Sequence, residues 1–399
     1  MSQPLLRHQT LLRLHGAVKP SIHLVIIARR SAQDACFECY VTIHIKLPLM
    51  PNSPFPPMQR LGVIMRGEPH NPDEVMGVLN PATARAPDGT AYLFPRVVAA
   101  GNYSRIGIAR INFDSANTPC GVERIGYALE PSESYECNSF TAGCEDARIT
   151  FVKALNCYVM TYTAYGPLGP RIALATSINL LHWQRLGPVK FDFDPKLRVD
   201  FDLYDNKDAM LFPEPVLDPH GRPAFAMLHR PAHIQGKCQV LPDGVTESRA
   251  SMWISYCAVE SVQADIYALG HWHSHQLLAV SEQPWESLKI GGGTPPVRTS
   301  KGWLHIYHGV SGEILENVDR QSRVHYCAGA MLLDLADPRK VLARTKEPLL
   351  TPDAAEERVG IVNNVVFPTG VDEAVAGCLD IYYGMADAAI GVARMRLPE

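Results

Sequence analysis

A single phrase returns about five times along this chain in different wording, and its period restricts the possible fold more than any other feature. An apolar segment opening on a polar or acidic residue is followed by a turn, then by one or more aromatic-rich strands. The phrase starts at Asn80 (NPATARAPDGTAYLFPRVV), Glu145 (EDARITFVKALNCYVMTYTAY), Lys207 (KDAMLFPEPVLDPHGRPAFAMLHR), Gly293 (GTPPVRTSKGWLHIYHGV) and Asn363 (NNVVFPTG, continuing to LDIYYGMAD). Successive starts lie 65, 62, 86 and 70 residues apart. Short strands joined by Asp-Gly, Pro-His-Gly or Lys-Gly turns at such a period are the mark of propeller blades. The expected fold is all-β, a five-bladed β-propeller with its site in the central funnel. Innermost strands share an axis, so Asp146, Asp208 and Asn364 are expected to meet there although they are distant in sequence.

The rest of the body agrees. Residues 158–165 (YVMTYTAY), 253–256 (WISY) and 304–310 (LHIYHGV) mix β-branched, aromatic and small residues between Gly and Pro, and helical periodicity is weak throughout. With 399 residues, 46% of them hydrophobic and 20% charged, the chain can bury a large core. A net charge of -4 gives no reason to expect nucleic acid or an anionic membrane as partner. Apolar runs such as residues 23–28 (HLVIIA) fall far short of the roughly 20 residues a membrane helix needs. No signal-peptide core is apparent, and ten cysteines in a chain this long are too dilute for a disulfide scaffold, so the expected location is cytoplasmic.

Residues 1–57 stand outside the repeat, with a basic bias and a Pro-rich end, and the propeller is expected over 58–399. Either the segment is an accessory extension or the functional chain starts at Met58 or Met65. Its Cys36 and Cys39 form a C-x-x-C with no second pair at zinc-finger spacing. His271, His273 and His275 alternate as on one strand face, yet no carboxylate sits at matching spacing, and a polar lining is the simpler reading. The triple glycine 291–293 is followed by Thr-Pro-Pro, which cannot supply the amides of a phosphate cradle. No G-x-S-x-G is present.

Chemistry is expected where polar residues open the blades. In residues 143–150 (GCEDARIT) Asp146 precedes Arg148 by two positions, which on a regular strand places both side chains on one face. Lys207 and Asp208 open the next phrase, His229 and Arg230 form a third, and Arg105 and Arg110 belong to a fourth. Any one arginine here can equally serve as a blade-to-blade salt bridge. One carboxylate among several cations at the end of a channel suits an anionic reactant.

At these residues the chain resembles glycoside hydrolase family 130. The phrases GCEDARIT, NKDAMLFPE, LHRP, IGGGTPPVRTSKGWLHIYHGV, YCAGAMLLDLADPRKVLART, NNVVFPTG and YYGMADAAIGVA carry the resemblance, in order, from about Leu61 to Arg396. It implies a five-bladed propeller that cleaves β-linked mannosides with inorganic phosphate, inverting to α-mannose 1-phosphate, with Asp146 as general acid. Its proton would travel through a mannose hydroxyl. By resemblance Arg171, Lys207 and His229 hold phosphate, joined by Arg110 and Arg148. Arg105, Asp208, Arg230, Tyr307 and Asp387 contact sugar. No metal or organic cofactor is implied, and the chain is a possible homo-oligomer. A β-mannoside hydrolase using Glu214 or Glu286 to activate water stays open as an alternative, as does a non-catalytic sugar-binding propeller. Ala147 stands where the family phrase has Pro, which is expected to loosen the backbone beside the acid.

Overall fold

A computed structural model of the chain describes residues 21–27, 40–46, 54–138, 142–232, 240–315 and 321–397. It falls into two units, Met1–Ser53 and Pro54–Glu399. The described part of the first is an antiparallel pair of strands, Ser21–Ile27 and Tyr40–Lys46. Cys36 and Cys39 lie outside the described residues. The second unit begins four residues earlier than the composition suggests, because Phe55 is buried in the core with Leu304, Ile306 and Leu379.

That second unit is a five-bladed β-propeller in which each blade has four antiparallel strands, with short extra strands paired onto blades three and four. Blade one runs Gly77–Arg85, Ala91–Ala99, Tyr103–Phe113 and Pro119–Leu129. Blade two runs Gly143–Val152, Cys157–Gly166, Gly169–Ser177 and Gln184–Pro188. Blade three runs Asp205–Leu211, Pro223–Ala232, Met252–Ala258 and His271–Ala279, and blade four Lys289–Gly292, Gly302–Gly312, Val324–Leu333 and Val341–Arg344. Blade five combines Val366–Val375, Cys378–Met385 and Ala389–Arg396 with Met58–Arg66, which comes from the other end of the sequence. That pairing closes the ring, so a chain starting at Met65 would lack most of the closing strand. Each of the five sequence phrases contains or abuts the inner strand of one blade.

Five apolar clusters fill the five clefts between neighbouring blades. Blades packed on both faces cannot alternate apolar and polar residues, which is why Cys157–Gly166 reads as a nearly continuous buried run. Blades one and two also touch through one parallel bridge, Ser104 to Gly143. A Cβ at Gly143 would lie 2.2 Å from the Ser104 carbonyl oxygen, and its φ of 142° is outside ordinary L-residue space.

Three blades share a buried lock. In blade two Glu136 accepts from Tyr162 Oη (2.6 Å), Arg185 Nε (2.8 Å) and the amides of Ser132 and Glu133. In blade four Glu286 accepts from Tyr307 Oη (2.5 Å), Arg344 (2.8 Å) and the amides of Glu282 and Gln283. In blade five Glu357 accepts from Tyr383 Oη (2.9 Å), Arg60 (2.8 Å) and the amides of Asp353 and Ala354. The glutamate precedes the blade, the tyrosine sits on the second strand and the arginine on the outermost one, so each lock spans its blade. Blade one keeps Glu74 and Arg124 (2.8 Å), but Pro95 occupies the tyrosine position. Glu286→Ala strands a buried guanidinium, a phenol and two amides, and is expected to cost about 3–5 kcal/mol. Tyr307→Phe removes one hydrogen bond and is expected to cost about 1–2 kcal/mol. Denaturant unfolding of the two variants checks this; equal losses would mean that the buried charge is not what holds the blade.

Candidate active site

The inner strands do not reach the axis as regular strands. In blades one, two and three the ladder to the second strand skips, between Leu79 and Ala82, Glu145 and Arg148, and Lys207 and Met210. At each skip one residue adopts a left-handed backbone: Asn80 (φ 44°), Asp146 (φ 48°) and Asp208 (φ 57°). Asn and Asp tolerate this region better than other residues with a Cβ. The bulge turns all three side chains into one central cavity of about 170 Å³. It also breaks the period-2 spacing, so Asp146 and Arg148 do not share a face as expected. Ala147 follows Asp146 as Ala209 follows Asp208 and Pro81 follows Asn80, with similar φ in all three. Proline is therefore not required for the conformation that aims the Asp146 side chain.

The cavity is lined by Asn80, Arg96, Asp146, Lys207, Asp208, Arg230, Lys289, His308, Tyr326, Phe367 and Asp387, with Gln321, Val324, Val362 and Val365. Asp146 Oδ1 accepts from Asn80 Nδ2 (2.9 Å) and faces Arg96, which also pairs with Glu145 (2.8 Å). Arg230 Nε donates to Asp208 Oδ2 (2.6 Å). Burial alone would raise the Asp208 pKa, but Arg230, with His308, Arg148 and Lys207, outweighs it and holds the carboxyl well below the usual range. Asp387 sits with Ala386 in a tight turn, both at positive φ, between the second and third strands of blade five. Burial, with Asp146 and Glu145 adding and Arg96 and Lys207 opposing, pushes its pKa up to about 6. Burial, then repulsion from Arg230 and Lys207, lowers Lys289 to about 7. His308 is kept well below its ordinary value by burial above all, and it contacts the Gly292 carbonyl through Nδ1 (3.2 Å).

Among the residues expected from sequence, Asp146, Lys207, Asp208, Arg230 and Asp387 come together here. Others are placed elsewhere. Arg148 is fully buried and donates to the carbonyls of Asp146 (2.6 Å), Gly292 (3.3 Å) and Gly293 (3.0 Å), so it braces the bulge from behind. Arg171 pairs with Asp205 (3.1 Å) outside the cavity lining. His229 is buried between Phe191 and Phe201 within blade three. Arg110 is exposed and pairs with Glu123 (2.7 Å); Arg105 pairs with Asp73 (3.0 Å) and Glu130 (3.2 Å). Tyr307 is held in the lock of blade four. Asn364 is not in the lining, although its neighbour Val365 is. The two carboxylates considered as a hydrolytic base are also elsewhere: Glu214 pairs with Arg298 (3.0 Å) at the surface, and Glu286 is sealed in its lock. His271, His273 and His275 do not share a face, because Ser274 takes a left-handed φ of 55° and interrupts the strand.

Arg96, Lys289 and His308 were not singled out from sequence. The register supplies the missing signal. Pro95, Tyr162 and His229 stand opposite the three bulges, and Tyr307 and Tyr383 hold the matching place in blades four and five. The residue after each is Arg96, Thr163, Arg230, His308 or Gly384, and three of these five line the cavity. Lys289 opens the inner strand of blade four, four residues before the phrase recognised there.

Comparisons with known proteins give the family. Residues 53–399 match the family model of glycoside hydrolase family 130, described as beta-1,4-mannooligosaccharide phosphorylase. A 1,2-beta-oligomannan phosphorylase of Thermoanaerobacter sp. (strain X514) is 33% identical over 318 residues, covering 78% of this chain and 88% of that protein. A beta-1,2-mannobiose phosphorylase of the same organism is 35% identical over 286 residues, covering 71% and 72%. The solved beta-1,2-mannobiose phosphorylase of Listeria innocua superposes with a TM-score of 0.62 at 24% identity, over 85% of this chain and 97% of that one. With the family model spanning the whole propeller, this chain belongs to glycoside hydrolase family 130.

Proposed function

We propose that the propeller is an inverting β-mannoside phosphorylase in which Asp146 is the general acid and Lys207, Lys289 and Arg230 hold inorganic phosphate. The observation that carries this is the charge left over in the cavity. Arg96 is engaged by Glu145 and Asp146, and Arg230 by Asp208. Lys207 and Lys289 have no carboxylate within ion-pair distance among the described residues, yet both line the cavity. Two partly buried ammonium groups beside a guanidinium are costly without an anion and suit a phosphate dianion. The names of the relatives, phosphorylases of β-1,2- and β-1,4-linked mannosides, support the same reading.

The chemistry balances with a single acid. A phosphate oxygen attacks the anomeric carbon as the glycosidic C–O bond breaks, and the leaving oxygen takes a proton that originates on Asp146. Monohydrogen phosphate loses its own proton as it becomes the sugar ester, which restores Asp146. An inverting hydrolase would need a second carboxylate to activate water. Phosphate arrives already anionic and needs electrostatic positioning instead. Asn80 and Arg96 orient Asp146, while Asp387 and Asp208 offer short carboxyls to sugar hydroxyls.

Incubation with β-1,2- and β-1,4-mannobiose, with and without phosphate, tests the proposal. Release that requires phosphate and forms α-mannose 1-phosphate is expected. Release that ignores phosphate would overturn it and pass the role of base to Asp387, the remaining free carboxyl in the cavity. Asp146→Asn preserves volume but removes the transferable proton, and is expected to lower kcat by about 10²–10⁴ while the fold is retained; near-normal turnover would misplace the acid. Lys289 must be protonated to hold the anion, so its contribution to phosphate affinity is present below its pKa of about 7 and fades above it. The KM for phosphate should therefore rise on the alkaline side, and Lys289→Arg should flatten that rise, because a guanidinium does not titrate there. An unchanged profile in that variant would remove Lys289 from the clamp.

A further inference from the structure

Blade three lacks the Glu–Tyr–Arg lock and carries a different device in the same place. His229 occupies the second-strand position of Tyr162, Tyr307 and Tyr383, opposite the bulge that presents Asp208. His275 lies on the outermost strand, where the other blades carry Arg185, Arg344 or Arg60. A continuous chain of hydrogen bonds links them. His229 Nδ1 is 3.1 Å from Asn206 Nδ2 and 3.2 Å from its Oδ1, and His229 Nε2 is 2.8 Å from Ser255 Oγ. Ser255 Oγ is 2.8 Å from His275 Nδ1, and His275 Nε2 is 2.9 Å from the Asp192 carbonyl oxygen. Asn206, His229, Ser255 and His275 are all buried. Phe191 and Phe201 both flank the two imidazoles, with ring centroids 4.8–5.5 Å away.

We propose that Asn206, His229, Ser255 and His275 form a positioning relay that sets the cavity-facing pair Lys207 and Arg230 for phosphate. The first two members of the relay adjoin that pair directly: Asn206 precedes Lys207, and His229 precedes Arg230. The ladder between their strands stops at Lys207 and resumes at Met210, so the Asn206–His229 contact ties the strands where backbone pairing is interrupted. Through Ser255 and His275 the tie continues to the outer edge of the blade, as the charged locks do elsewhere.

The carbonyl of Asp192 can only accept, and with His275 neutral this fixes the direction of the chain. His275 donates from Nε2, its Nδ1 accepts from the Ser255 hydroxyl, Ser255 accepts from His229 Nε2–H, and His229 Nδ1 accepts from the Asn206 amide. Both histidines are then neutral Nε2–H tautomers. One proton taken from water onto His275 Nδ1 reverses the three bonds between the side chains and leaves the bond to the Asp192 carbonyl as it is. Ser255 turns its hydroxyl to His229 Nε2, His229 changes tautomer by losing its Nε2 proton to water and taking one from water at Nδ1, and Asn206 rotates its amide to accept. The near-equal distances from His229 Nδ1 to the two ends of the Asn206 amide accommodate both arrangements. Burial above all holds His275 below its ordinary pKa; the bond to the Asp192 carbonyl and the charges of Asp194 and Asp192 oppose this, and His273 adds to it. The neutral arrangement therefore holds at neutral pH, and the reversal belongs to the acid side.

The kinetic arm of the test rests on the phosphorylase reading; the spectroscopic arm does not. In protein labelled with ¹⁵N-histidine, His229 and His275 are expected as Nε2–H tautomers at neutral pH, assigned by comparison with His229→Gln and His275→Gln. An Nδ1–H tautomer at either site would overturn the relay whether or not the enzyme uses phosphate. Ser255→Ala cuts the chain at its centre and is expected to raise the KM for phosphate about tenfold, with kcat within about threefold of wild type. His275→Gln can still accept from Ser255 and donate to Asp192. Reversal of the relay is expected to loosen Lys207 and Arg230 and so to raise the wild-type KM on acidification; His275→Gln is expected to hold the neutral-pH KM near wild type and to lose that rise, whereas His275→Ala shows the raised KM at every pH. If Ser255→Ala fails to fold, the two His275 variants decide. Equal phosphate KM values in His275→Gln, His275→Ala and wild type at all pH would overturn the proposal.

Discussion

One residue in the left-handed region on each of three inner strands, at Asn80, Asp146 and Asp208, determines what the axis of this molecule can do. On a regular strand Lys207 and Asp208 would face opposite sides, and so would Glu145 and Asp146. The bulge turns the acidic partner inward and brings both members of the Lys207–Asp208 pair to the cavity. A left-handed residue with a Cβ costs roughly 1–2 kcal/mol. The cost is offset locally: Arg148 grips the carbonyl of Asp146, Asn80 donates to its carboxylate, and Arg230 pairs with Asp208. The same contacts that relieve the strain are the ones that orient the proposed acid.

Burial makes every charge in this fold a liability unless it is matched, and the structure meets that requirement differently at the axis and away from it. In the locks of blades two, four and five, Glu136, Glu286 and Glu357 are each saturated by a phenol, a guanidinium and two amides, leaving nothing to react. At the axis the matching is incomplete. Among the described residues Lys207 and Lys289 have no carboxylate within ion-pair distance, and Asp387 is pushed up to about 6 by burial and by its acidic neighbours. A cavity with spare cations and a carboxyl near its titration point is arranged for an anion and for proton movement. Blade three, which supplies Lys207, Asp208 and Arg230, is also the blade whose lock is built from histidines.

The architecture was legible because a propeller repeats, and each of the five phrases falls on or beside an inner strand. Asp146, Lys207, Asp208, Arg230 and Asp387 were legible as polar residues opening or closing those phrases. The rest was not, for two physical reasons. Residue type does not say which face a side chain takes, so Arg110 and Arg171 read as clamp candidates and Arg105 as a sugar contact, although each pairs with a carboxylate away from the cavity. A bulge also shifts the face by one residue, which puts Arg148 behind the cavity, and His229, expected beside phosphate from the resemblance, is packed against Phe191 and Phe201 inside blade three. Arg96, Lys289 and His308 are found only when the second strands are aligned through their register, which sequence spacing does not provide.

A crystal structure of the protein with inorganic phosphate bound is the most direct test of the account. Phosphate oxygens are expected within hydrogen-bond distance of Lys207, Lys289 and Arg230, in the same cavity as the Asp146 carboxyl. Phosphate bound instead at Arg171 or His229, with the two lysines unengaged, would contradict it.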